Sequence, residues 1–248
     1  VNDVNQVKAT TSALDQAMSA LKQGIADKDQ TIADGNYTNA NPDKQQAFSD
    51  AIHHAEQIIN GTPNAIVDPQ AVTNALQQVD QTKGDLNGND NLHDAQQQAS
   101  TMIDGLPNLN PAQKAALKEQ VNQAGLVPSV DQIKQTANEL NTAMGNLNQT
   151  LQANIQVPQT TDYTQASTDK QTAYDNAVEQ AQQVVNSNQV VQLSPDAVNQ
   201  MTNAINHAKD DLNGDENLAQ AKQDATANLN TLPDLNQPQH DALTNQIE

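Results

Sequence analysis

The sequence predicts an all-α protein: a tandem array of alternating three-helix bundles that share long helices and form an elongated rod. Three observations carry this expectation. One offset, 126 residues, maps the second half of the chain onto the first without a gap. Within each copy, apolar residues recur at three- and four-residue spacing, the period of a packed helix face. Between these stretches stand Asn, Asp, Ser, Pro and Gly, which start and stop helices.

The offset takes Met18 to Met144, Tyr37-Thr38 to Tyr163-Thr164, Asp85-Leu86-Asn87-Gly88 to Asp211-Leu212-Asn213-Gly214, and Leu106-Pro107 to Leu232-Pro233. About a third of the aligned positions are identical, and a fixed period of this kind marks a repeat architecture. In each copy the pattern yields five helical segments. The first carries Val4, Val7, Leu14, Met18, Leu21 and Ile25, with Thr11 in the gap; its counterpart carries Val130, Ile133, Ala137, Leu140, Met144, Leu147 and Leu151, and Ser129 with Gln132 is a capping box at its start.

The second segment starts at Asn41-Pro42 and buries Phe48, Ile52, Ala55 and Ile59; its counterpart follows Ser167 and buries Tyr174, Val178, Ala181 and Val185. The third starts at Asp68-Pro69 and Ser194-Pro195, each pair placing a capping side chain before a proline at the first helical position. Gly88 and Gly214 follow it, where a left-handed C-cap is expected. The fourth carries Leu92, Ala95, Ala99, Ile103 and Leu106 and ends at Pro107. The fifth starts at Asn110-Pro111, with Gln113 at the reciprocal capping position.

Packing these in order divides the chain into a three-helix bundle over residues 1–88, a second bundle over 89–151, a third over 130–214 and a helix pair over 215–248. The helix at 130–151 then serves two bundles. Sharing it would stiffen the array into a monomeric rod. The chain begins within the pattern, as expected of a segment of a longer protein.

Composition narrows the function. Thirty acidic residues face 11 basic ones, a net charge of −19. Nucleic acid and anionic membrane surfaces need a basic footprint, so neither is an expected partner. No apolar run reaches the roughly 18 residues of a membrane span. Only 35% of residues are hydrophobic, 2% are aromatic, and there is no Cys. About a quarter are Asn or Gln.

No nucleophile elbow, phosphate loop or HExxH motif is present, so no catalytic residue, cofactor or metal is expected, and no enzymatic activity. Asp85-x-Asn87-x-Asn89 resembles the start of a calcium loop, but the Gly and Glu that such a loop needs are replaced by Asp90 and Gln96; helix capping is the expected role. His53 and His54, near Asp50, have Glu179 and Gln180 as counterparts, so the repeat does not require them and they are expected on a solvated helix face. Tyr37 and Tyr163 precede helix starts in polar stretches. They are expected either to plug the bundle end with the hydroxyl in water or to anchor a partner.

The stretch Tyr37-Thr38-Asn39-Ala40-Asn41-Pro42-Asp43-Lys44-Gln45-Gln46-Ala47-Phe48 resembles the opening of the FIVAR module, and Asp211 to Leu218 resembles its end. Leu106-Pro107-Asn108-Leu109-Asn110 with Gln113-Lys114, and then Val130 to Leu147, resemble the adjoining GA module. Their alternation resembles the giant staphylococcal extracellular matrix-binding protein family (Ebh and Embp). That resemblance implies a wall-associated or secreted protein at the bacterial cell surface. It implies an adhesin of many repeats that attaches to host extracellular matrix, chiefly fibronectin, weakly per repeat and multivalently along the array. A spacer or envelope scaffold without a ligand is the alternative. A third is albumin binding through the GA module; related modules do this with aromatic residues around the second helix, whereas 117–130 holds none.

Overall fold

A computed structural model describes residues 2–186 and 190–248. Among them every regular element is a helix. The chain divides into two compact units, one comprising residues up to Met102 with Gln120–Ile133, the other Ile103–Glu119 with Lys134–Glu248.

In the first unit, α1 (Asn2–Gly24), two short helices α2 (Lys28–Ala33) and α3 (Gly35–Thr38), α4 (Pro42–Asn60), α5 (Pro69–Gly84) and the start of α6 (Gly88–Asp104) follow one another. Helices α1, α4 and α5 pack together. Their core joins Leu21, Ile25, Phe48, Ile52, Ile58, Val72, Val79 and Leu86 with Ala40, Ala51, Ala55 and Ala75. The alanines let the helices approach closely, so a bundle closes on few large side chains. Two surface ion pairs, Lys28–Glu56 and Lys83–Asp27, tie the α1–α2 turn to α4 and α5. The hydrogen bond from Lys83 holds the Asp27 carboxyl below its usual range, and the bond to Glu56 raises the Lys28 ammonium.

The second unit contains most of α7 (Pro111–Gln123) and of α8 (Val127–Ala153). These lead through a 3-10 turn (Val157–Gln159) and α9 (Thr161–Thr164) to α10 (Thr168–Asn186), α11 (Pro195–Asp210), α12 (Gly214–Leu229) and α13 (Gln237–Ile247). Along α8, Ala137, Leu140, Ala143, Met144 and Leu147 are buried. Helix α10 packs on α11, and α12 on α9 and α13. The expected burial of Phe48 and Tyr174 is met.

Several expected helix ends are built differently. Val4 and Val7 do not join a packed seam; they are 71% and 63% exposed. Helix α1 has 23 residues against 16 in α5, and the buried core residues it brings are Leu21 near its far end and Ile25 just beyond it. Asn41 precedes α4 but makes no capping hydrogen bond of its own, because its Oδ1 accepts from Asn91 Nδ2 at 2.9 Å. Helix α8 starts at Val127, so Ser129 already lies in its first turn. The Val127 N–H donates instead to Asn39 Oδ1 at 2.9 Å. Asp68 and Ser194 cap α5 and α11 as expected, and Asn110 with Gln113 forms the reciprocal box.

Gly88 and Gly214 are not left-handed caps. Among the described residues only Gly61, at the end of α4, has positive φ (68°). The two glycines instead open α6 and α12, where backbone passes too close for a side chain. A Cβ on Gly88 would lie 2.4 Å from Asn36 O and 2.7 Å from Gly35 O; on Gly214 it would lie 2.2 Å from Asp162 O. Each contact thus presses the start of one helix onto a short helix of its own repeat. Gly84, by contrast, has open space around it. Urea unfolding should show Gly88→Ala costing about 1–3 kcal/mol through overpacking, while Gly84→Ala is neutral or stabilises by up to about 1 kcal/mol. Equal effects at the two sites would contradict the close-approach explanation.

The last helix pair is the least buried. Ala99, Ile103, Leu117 and Val121 on α6 and α7 are fully buried; of their counterparts Leu229 stays buried, but Ala225 and Leu243 are exposed and Ile247 is half-buried. Amide exchange measured by mass spectrometry should be roughly tenfold or more faster across 214–247 than across 88–123, since opening energies follow local burial. Equal protection would show that this exposure carries no energetic weight.

Candidate functional site

The two tyrosines singled out by the sequence sit at matching corners of the two repeats, on α3 and α9. Each is half-buried. Tyr37 meets the buried Phe48 edge-on, with ring centroids 6.0 Å apart and planes at 65°. Tyr163 meets Tyr174 at 5.8 Å and 70°, a favourable aromatic geometry. Each ring thus packs into its own repeat, and each hydroxyl has a protein partner. Tyr37 Oη lies 2.9 Å from Ser49 Oγ, and Tyr163 donates to both oxygens of Asp175 at 2.9 Å. Burial first, and then the hydrogen bond and charge of Asp175, raise the Tyr163 hydroxyl above its ordinary value. Tyr174 is raised too, by burial and then by the charges of Asp175 and Tyr163.

Around each tyrosine the same polar joint recurs. Gln45 Nε2 donates to Tyr37 O at 2.8 Å, and Gln171 Nε2 to Tyr163 O at 2.8 Å. Lys44 donates to the Asp85 carbonyl and Lys170 to the Asp211 carbonyl, both at 2.6 Å, placing a cation on the negative end of α5 or α11. Asn87 Oδ1 accepts from Asn41 N, and Asn213 Oδ1 from Ser167 N. The Asp-x-Asn-x-Asn stretch thus joins helices. Among the described residues no three His, Asp or Glu side chains converge as a metal would need. His53 and His93 each lie beside a glutamine one turn on, at 3.0 Å.

Two surface features were not evident in the sequence. An apolar groove of about 410 Å³ runs along the exposed start of α1, lined by Val7, Thr10, Leu14 and Val67; a packed seam has the same apolar spacing, so the sequence does not reveal this exposure. A second groove, in the other unit, is lined by Asn154, Tyr174, Asp175 and Glu179 among others. Its signal was the replacement of Lys28 by Asn154 between repeats, visible only once the two positions are known to face a neighbour. No helix among the described residues is long and apolar enough to cross a membrane.

Raised tyrosines make a signed prediction. A hydroxyl whose folded pKa is raised contributes stability that is present below its unfolded value of about 10 and lost as pH rises through the folded value. Thermal melting between about pH 9 and 12 should therefore fall less steeply for Tyr163→Phe than for the parent chain. Superimposable profiles would show that Tyr163 is not held in this way.

Comparison with known proteins places this geometry. The FIVAR domain model matches residues 17–87 and 143–213, and the GA module model matches 89–143 and 215–248. The matches change over next to Gly88 and Gly214, at the close backbone contact, and at residue 143, inside α8. The chain is 62% identical over 247 residues to extracellular matrix-binding protein EbhA of Staphylococcus aureus strain Newman, an alignment covering 100% of this chain and 7% of that protein. It is 63% identical over 211 residues to extracellular matrix-binding protein ebh of S. aureus strain MRSA252, covering 85% of this chain and 2% of that one. The chain thus spans a small fraction of these relatives. A crystal structure of EbhA residues 756–1003 from S. aureus superposes with a TM-score of 0.83 at 35% identity, covering 93% of this chain and 92% of that one.

Proposed function

Because the chain belongs to the staphylococcal Ebh/Embp family of tandem FIVAR and GA module repeats, we propose that it is a non-enzymatic repeat segment of a giant adhesin at the bacterial cell surface, wall-associated or secreted, that binds host extracellular matrix. The relatives are named as extracellular matrix-binding proteins, which supports an extracellular position and a matrix partner. Fibronectin is the partner proposed, following the family resemblance. We also propose that α8 is common to two adjoining bundles, a reading supported by the change of module at residue 143 within one uninterrupted helix.

The observation that carries the adhesin reading is duplication. The tyrosine corner, with its aromatic pair, its glutamine and its lysine, is built twice at matched positions. The same corner is therefore offered again on the next repeat. The chain has little Tyr, no Trp and no Arg, the residues that dominate strong anchors, so one repeat binds weakly. An array gains by effective concentration, about 10²–10⁴-fold over a single contact.

The competing reading is a spacer without a ligand, favoured by the fact that both tyrosine hydroxyls are already satisfied within the repeat. Surface plasmon resonance on densely immobilised fibronectin separates the two. Binding should be weak for this 248-residue chain and rise steeply with repeat number. Equal, negligible binding by short and long arrays would leave the spacer, and competition by albumin would shift the reading to the GA module. Tyr37→Ser with Tyr163→Ser, measured for both binding and melting, sorts the tyrosines: melting lost with binding intact makes them end-plugs only.

A further inference from the structure

We propose that the groove between the end of α8 and α10 binds the ammonium group of a lysine side chain on a partner protein, at a place which the first repeat closes with its own Lys28. The groove has a volume of about 450 Å³ and is lined by Asn154, Ile155, Tyr174, Asp175, Glu179 and Gln182, among others. Its polar lining is rich in acceptors. Asn154 is only 6% exposed. Its Nδ2 donates to Thr150 O at 2.8 Å, but its Oδ1 has no partner. A buried acceptor without a donor is uncommon, because it has given up water for nothing. Asp175 and Glu179 lie one turn apart on α10, and Asp175 also accepts from Tyr163.

The repeat indicates what belongs there. At the 126-residue offset, Asn154 and Gln182 correspond to Lys28 and Glu56, and in the first repeat those two side chains form an ion pair. The second repeat has lost both partners of that pair. It carries carboxylates instead at 175 and 179, where the first has Ser49 and His53. An ammonium offers three donors and no acceptor, which matches a groove lined by an orphaned amide oxygen and two carboxylates. Ile155, 63% exposed, and the neighbouring Val178 and Pro158 provide apolar surface for the methylene stem. That the lysine belongs to a matrix protein rests on the adhesin reading; the site itself does not.

The test uses the ¹⁵N-labelled 248-residue chain and n-butylammonium, the end of a lysine side chain, with n-butanol as the uncharged control. Butylammonium should give saturable shifts at the Asn154 side-chain amide and at backbone amides of 175–182, with none at residues 28 and 56. Butanol should give none. Asn154→Lys with Gln182→Glu grafts the first repeat's ion pair into the groove. It should weaken binding about tenfold or more, the scale of a charge-assisted hydrogen bond, while melting is unchanged or raised. Glu179→Gln, at an exposed position, should weaken binding without disturbing the fold. Shifts of equal size with butanol, shifts spread evenly over all carboxylates, or a graft that binds like the parent would each overturn the proposal. Fibronectin capture by the graft at parental strength would remove this site from adhesion and leave the adhesin reading standing. Butylammonium binding in a chain that captures no matrix protein would uphold the site and remove the adhesin reading.

Discussion

The architecture depends on side-chain amides buried against backbone. Among the described residues the buried polar side chains are Asn39, Asn110, Gln113 and Asn154, all amides and none charged. Three of them are joints. Asn39 accepts from Val127 N and donates to Gly125 O at 3.0 Å and Gly35 O at 3.1 Å, linking the corner before α4 to the turn between α7 and α8. Asn110 and Gln113 cap α7 through their oxygens and donate with their amino groups to the last turn of α10, at Val184 O, and to the α10–α11 connection, at Val190 O and Gln192 O. A side-chain amide can donate and accept at once, so one residue closes a helix end and fixes a neighbouring segment. With few large apolar side chains available, direction comes from these bonds. Burial supplies the gross free energy, but a stripe of alanine does not choose one register over the next.

This explains how much was legible beforehand. Helix existence and order followed from the apolar period, because burial of Leu21, Phe48, Val72, Leu140 and Ile205 needs only the right face. The caps at Asp68, Ser194 and Asn110 are local, so they were legible too. The joints were not. Asn39, Asn41 and Asn91 look like interchangeable polar residues in a sequence rich in Asn, and their roles depend on partners 50 or more positions away. Gly88 was misread for the same reason: a glycine after a helix suggests a left-handed cap, whereas here a distant backbone excludes a side chain. The exposed start of α1 was misread because a packed seam and an unpacked apolar stripe have the same spacing. Of the site residues, the positions of Tyr37 and Tyr163 at bundle corners were foreseeable; their hydroxyl partners, Ser49 and Asp175, were not.

The repeats also show how a conserved frame tolerates different surfaces. The Lys44 and Lys170 joints, the glutamine bonds to the tyrosine carbonyls and the glycine contacts match between copies within a few tenths of an ångström. What differs lies beside them: Ser49 against Asp175, Lys28 against Asn154, Glu56 against Gln182. The frame uses backbone groups as its partners, and these survive substitution. Neighbouring side chains are therefore free to vary the chemistry each repeat presents.

The most direct test of the amide-joint account is Asn39→Ala, followed by equilibrium unfolding and by exchange at the Val127 amide. The substitution strips the Val127 N–H of its acceptor and the Gly125 carbonyl of a donor, while Gly35 O keeps the Asn39 backbone N–H. The account predicts a loss of about 1–3 kcal/mol and faster exchange at Val127, on an element 88 positions away. A change within about 0.5 kcal/mol, as at an ordinary surface position, with Val127 still protected, would contradict it.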